Sequence, residues 1–76
     1  MTTQEMEMRL KSTYPQCEVV VIDLTGTNDH FEVRIAETQF NGMSRIQQHQ
    51  AVMKIFAEEL KTGEVHALSI KALPKE

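Results

Sequence analysis

Phe31, Val33 and Ile35 are apolar, and Glu32 and Arg34 between them are charged. A strict period of two lays an apolar row and a polar row on opposite faces of a strand. Such a strand belongs to a sheet with one face packed against a second layer and the other in water. The chain has 76 residues, enough for one small domain over 1–76. The covering layer must come from that same short chain, which makes a two-layer α/β architecture the expectation.

The remaining segments supply the parts. Thr2 and Glu5 have the spacing of a capping box, Met6 and Leu10 share a helical face, and Pro15 closes this first helix. The β-branched run from Glu18 to Leu24 reads as a strand. Thr25-Gly26-Thr27-Asn28-Asp29 is a run of turn formers that joins it to the alternating strand as a hairpin. After Asn41-Gly42, Ser44 and Gln47 form a second capping-box pattern. They open a helix expected to run from Arg45 to Lys61, with Ile46, Val52, Met53, Phe56 and Leu60 on one apolar stripe. Gly63 stands where a left-handed helix cap wants glycine. A last strand over Val65 to Leu73 puts Leu68 and Ile70 on one face and Ser69 and Lys71 on the other. The order helix, strand, strand, helix, strand predicts a three-stranded mixed sheet with both helices on one face. Phe31, Val33, Ile35, Val52, Phe56, Leu68 and Ile70 are its expected core, with Met6 and Met53 as filler.

Composition narrows the function. Eight Lys and Arg against eleven Asp and Glu leave a net charge of −3, which disfavours avid non-specific binding to nucleic acid. Cys17, the single cysteine, cannot form an internal disulfide and suits a reducing compartment; it reads as a small packed residue. No signal-peptide pattern opens the chain, and the longest apolar run, Val19-Val20-Val21-Ile22, is too short to span a membrane. A cytoplasmic location follows as the expectation. The chain has no glycine-rich phosphate loop, no paired-cysteine motif and no H-E-x-x-H. With so little capacity for a deep cleft, an enzyme is not expected. Three histidines remain as candidate ligands: His30 at the hairpin mouth, His66 at the opening of the last strand, and His49 inside the long helix.

Several segments together resemble the BolA-like family. Asp29-His30-Phe31-Glu32-Val33 is similar to its [ST]-H-F-x-V strand, Phe40-Asn41-Gly42-Met43-Ser44-Arg45 resembles its F-x-G element, and Val65-His66-Ala67-Leu68-Ser69-Ile70-Lys71-Ala72 looks like its closing H-A-[LV]-S-[IV]-K-A strand. Gly42-Met43-Ser44-Arg45 is similar to the short bacterial branch, the IbaG or YrbA type. The resemblance implies an α-β-β-α-β fold similar to class II KH domains. It also implies a monothiol glutaredoxin partner and a [2Fe–2S] cluster shared across that interface, with thiolates from glutaredoxin and glutathione; the lone chain would hold none. The family's ligands are the histidine that opens the last strand, here His66, and a second His or Cys from the hairpin loop, for which His30 at the loop edge is the candidate; Gly42 and Met43 would lie on the partner surface. Histidine in place of thiolate raises the cluster potential. Ligation needs the neutral ring, so it should weaken below about pH 6, where histidine ordinarily takes a proton.

The sequence departs from the pattern at three places. The hairpin loop is short and holds no Cys, and His30 matches the family's histidine beside Phe, not its mid-loop ligand. Gln48-His49-Gln50 stands where the family has R-H-R, and Leu73-Pro74-Lys75-Glu76 where it has T-P-x-x-W. Parity sets a further condition, because His30 alternates against Phe31 while His66 shares the parity of Leu68 and Ile70. A flat sheet would therefore point the two histidines to opposite faces, and twist or a bulge would be needed to unite them. The resemblance also carries the alternative of a DNA-binding transcriptional regulator, for which Arg45, Lys54 and Lys71 are the candidate contacts.

Overall fold

The computed structural model describes residues 1–74. Lys75 and Glu76, the end of the divergent terminal segment, lie outside the described residues. Helix α1 covers Thr3–Thr13, strand β1 Glu18–Asp23 and strand β2 His30–Glu37. A 3₁₀ turn over Thr38–Phe40 leads to helix α2, Arg45–Ile55; helix α3, Ala57–Thr62, and strand β3, Ala67–Pro74, complete the order. The strands lie in the order β1-β2-β3, with β2 central. It pairs antiparallel with β1, Val21 opposite Val33, and parallel with β3, Val33 opposite Ile70.

Both capping boxes form. Thr2 Oγ1 accepts from the Glu5 N–H at 3.1 Å while the Glu5 carboxylate takes the Thr2 N–H at 3.0 Å. Ser44 and Gln47 do the same for α2, at 3.1 and 2.9 Å. Each satisfies donors that a helix start otherwise leaves unpaired. Gly63 closes α3 at a φ of +85°, in the left-handed region.

The alternating strand behaves as its pattern demands. Phe31, Val33 and Ile35 are buried beneath the helices with Met6, Leu10, Phe40, Val52, Phe56, Val65 and Ile70, and Leu68 packs half-buried at the margin. Cys17 is buried with them. Glu37 continues the same row and is also buried; its Oε2 accepts the Gln39 N–H at 3.1 Å and so opens the 3₁₀ turn. Tyr14 packs its ring edge-on against Phe40, 5.4 Å between centroids. Burial, and then the nearby Glu37 carboxylate, push its phenol above the usual tyrosine pKa.

Three expectations need correction. The helix from Arg45 to Lys61 is broken at Phe56, whose backbone leaves helical geometry at φ −109°, ψ 23°. The break coincides with the approach of Arg9 from α1. Arg9 donates to the Ile55 carbonyl at 3.4 Å, and its guanidinium lies 5.5 Å from the Phe56 ring centre. The apolar stripe is also displaced. Ile46 is 70 % and Met53 41 % exposed, whereas Gln48, Val52 and Phe56 face the core. Gln48 takes an inward place because its amide satisfies carbonyls of the preceding loop. Finally, the β3 ladder begins at Ala67, and His66 stands just before it.

Candidate functional site

The site forms where the β1–β2 hairpin loop meets the start of β3. The loop is organised around Asp23, whose carboxylate accepts the N–H groups of Thr25 at 3.3 Å, Gly26 at 2.9 Å and Asn28 at 3.0 Å. Gly26 and Asn28 take up the positive φ the tight path requires, +76° and +58°. The Leu24 N–H closes the hairpin on the His30 carbonyl at 2.8 Å.

Asp29, the last loop residue, has two attachments. Its backbone carbonyl accepts both the His66 N–H at 2.7 Å and the Ala67 N–H at 3.1 Å. That double acceptance pins the entry of β3 to the hairpin and keeps His66 outside the regular ladder. The parity argument therefore does not govern His66, since alternation holds only for residues in the pleat. The two imidazoles meet, with ring centroids 5.2 Å apart and planes tilted by 45°. His30 is half-buried and His66 exposed.

The Asp29 carboxylate also holds His30. Its Oδ1 lies 2.8 Å from His30 Nδ1 and accepts hydrogen bonds from the Thr27 and Thr25 hydroxyls, the latter at 3.3 Å. The Thr27 hydroxyl, then His30, then Thr25 favour the ionised form and hold the Asp29 pKa at about 2. An ionised carboxylate only accepts hydrogen bonds. In the neutral ring, an Nδ1–H that donates to this carboxylate leaves the Nε2 lone pair free.

Among the described residues, no group of three or more His, Cys, Asp or Glu side chains is placed to hold a metal ion. The pair supplies two nitrogen donors and no more. Two imidazoles on one tetrahedral iron, with metal–nitrogen bonds of about 2 Å, place their ring centres about 5 Å apart. The observed spacing fits the histidine half of a mixed-ligand [2Fe–2S] centre, whose remaining ligands must come from elsewhere.

The other candidates lie apart from this pair. Cys17 precedes β1 at the end of the sheet remote from His30, because Glu18 pairs with Ala36 and Asp23 with Phe31. Gly42 and Met43 follow the far end of β2. Gly42 is exposed, while Met43 is half-buried against the core and its carbonyl accepts from Gln48 at 3.2 Å. Arg45 and Lys71 share a groove with His49, Ile70, Ala72 and Leu73, and Lys54 lines a neighbouring one with Ile46, His49 and Met53. Lys71 also sits 3.5 Å from the Glu32 carboxylate, which Arg34 engages at 2.7 Å. Sequence reasoning did not single out Asp29 as a support for His30. The adjacent Asp-His pair is plain in the sequence, but the hydroxyls that aim the carboxylate depend on the loop path.

A small α/β domain with a histidine pair at the hairpin mouth is the class this geometry defines. The family model described as "BolA-like protein" matches residues 3–76, and the chain belongs to that family. It is 36 % identical over 72 residues to the uncharacterized protein RP812 of Rickettsia prowazekii, covering 95 % of this chain and 92 % of that one. Among solved structures, BolA1 from Arabidopsis thaliana superposes with a TM-score of 0.83 at 32 % identity, covering 95 % of this chain and 89 % of the other. Yeast Fra2 superposes with a TM-score of 0.78 at 33 % identity, covering 97 % and 80 %. No helix among the described residues is long and apolar enough to cross a membrane.

Proposed function

We propose that this chain is a non-enzymatic, cytoplasmic adaptor that pairs with a monothiol glutaredoxin. His30 and His66 would ligate a shared [2Fe–2S] cluster, and glutaredoxin and glutathione would supply the thiolates. The observation that carries this reading is the approach of the two imidazoles to 5.2 Å at the hairpin mouth. Imidazole ligation raises the potential of such a cluster relative to all-thiolate ligation, and a cluster held across two proteins suits iron–sulfur trafficking or sensing. His30, half-buried and fixed by Asp29, orients one donor; His66, exposed at a sheet end, presents the other. The test is anaerobic reconstitution of the chain with a monothiol glutaredoxin and glutathione, read by visible absorption and circular dichroism. His66→Ala and His30→Ala should each change the charge-transfer bands and shorten the cluster lifetime, and His49→Ala should do neither. Wild-type spectra and lifetimes for both of the first two variants would sink the assignment.

The shared groove of Arg45 and Lys71 supports a second reading, in which the α2–β3 flank binds DNA phosphates. A titration against duplex DNA at several salt concentrations tests it. Binding through these residues would weaken steeply with salt. Arg45→Ala would make the dependence of log affinity on log salt shallower by about 1, the share of a single neutralised phosphate. Binding unaffected by salt and by Arg45→Ala would reject it.

A further inference from the structure

Asp29 touches both histidines by different chemistry. Its carbonyl holds the backbone of His66 and Ala67 at 2.7 and 3.1 Å, and its carboxylate holds the His30 ring at Nδ1, 2.8 Å away. Thr25 and Thr27 donate their hydroxyls to the same carboxylate oxygen and brace it from the loop side. An imidazole ligates through its unprotonated nitrogen, and the hydrogen bond made by the other nitrogen decides which one that is. We infer that Asp29 is the positioning residue of the site: it fixes His30 as the Nδ1–H tautomer, so that Nε2 is the ligating atom, and it anchors His66 by main chain alone. This inference rests on the adaptor reading for its use, but its first test does not.

The asymmetry is the distinguishing feature. Removing the Asp29 side chain should free the His30 ring while leaving the main-chain anchor of His66 in place. Long-range proton–nitrogen spectra of the lone, ¹⁵N-labelled chain report the tautomer directly. Wild-type His30 should show a protonated Nδ1 and a bare Nε2. Asp29→Ala should move His30 toward the Nε2–H form that free imidazole favours, with His66 and His49 unchanged. Asp29→Asn, whose amide oxygen still accepts from Nδ1–H, should retain the wild-type tautomer.

In the reconstituted heterodimer, Asp29→Ala should shorten the cluster lifetime about tenfold or more, the usual cost of losing an outer partner of a metal-bound histidine, and Asp29→Asn should largely restore it. Asn28→Ala strains the loop at its positive φ, and the Asn28 side chain makes no hydrogen bond to Asp29 or His30 among the described residues; this variant should stay close to wild type, which separates positioning from general loosening. A wild-type His30 protonated at Nε2 would overturn the inference and leave the adaptor reading intact. So would an Asp29→Ala variant that switches tautomer yet keeps the wild-type lifetime, provided His30→Ala and His66→Ala still lose the cluster. If those two variants also keep it, the ligand reading fails and takes this inference with it.

Discussion

The Gln48 amide donates to the carbonyls of Phe40 at 3.1 Å and Met43 at 3.2 Å from within the helix layer. Phe40 closes the 3₁₀ turn and its carbonyl also accepts the Met43 N–H at 3.1 Å, while Met43 lies in the loop before α2. Gln48→Leu matches the burial but removes the amide donor from both carbonyls, leaving that of Phe40 with the Met43 N–H. Losing two such hydrogen bonds costs about 1–3 kcal/mol. Urea denaturation should show a loss of that size, with the slope against denaturant unchanged. Glu37 is a companion case, since it occupies a core-facing position and uses one oxygen to cap a turn, while its Oε1 is buried with no hydrogen-bond partner among the described residues. Neither role was legible in the sequence. The period of two does place Glu37 on the row of Phe31, Val33 and Ile35, but polarity argues against burial until the turn that needs the carboxylate is known. The histidines were legible as candidates; their meeting was not, because it depends on one carbonyl serving two N–H groups before the ladder begins.

Among the elements, the strands, the hairpin and both capping boxes follow from short-range pattern, and the structure keeps them within a residue or two. The joint between α2 and α3 does not. It turns on Arg9, far away in sequence, whose Nη1 lies 2.6 Å from Glu59 Oε1 and whose guanidinium covers the Phe56 ring. Apolar periodicity carries no information about such an approach, so the same residues read as one continuous helix. The hydrogen bond from Arg9 holds the Glu59 carboxyl below the ordinary glutamate pKa. A carboxyl whose pKa is depressed on folding adds stability above its unfolded value, and that stability is lost as pH falls through the folded value. Arg9→Ala should therefore destabilise the domain by about 1 kcal/mol at neutral pH, given the partial exposure of the pair. The gap between wild type and variant should narrow below about pH 4.5. Parallel unfolding curves at pH 7 and pH 3 check this, and a gap that stayed constant or widened in acid would show that the ion pair contributes nothing.

For the whole molecule, the decisive arrangement is a closed apolar core with the histidine pair on its rim. The core joins α1, all three strands and the helix joint through Met6, Leu10, Val21, Phe31, Val33, Val52, Phe56 and Ile70, and nothing in that packing calls for a metal. Zinc fingers fold only around their ion; this domain should fold without one. A chelator should leave its denaturation midpoint unmoved, and the lone chain, with two imidazoles where a [2Fe–2S] centre needs four ligands, should hold no stable cluster. Phe56 is the place to test the core itself. Its ring is fully buried under the Arg9 guanidinium at the point where the helix layer bends. Truncating a buried Phe to Ala costs about 3–5 kcal/mol, against a total of about 4–11 kcal/mol for a chain this long. Phe56→Ala should thus lose much of its cooperative melt, and the heterodimer signal should fall only in proportion to the unfolded fraction. His66→Ala should show the opposite pattern, with a near-normal melt and a lost cluster. Calorimetry and reconstitution on the same two variants separate the fold from the site. A destabilised His66→Ala, or a Phe56→Ala that melts like wild type, would mean that the histidine pair and the core are not the independent parts described.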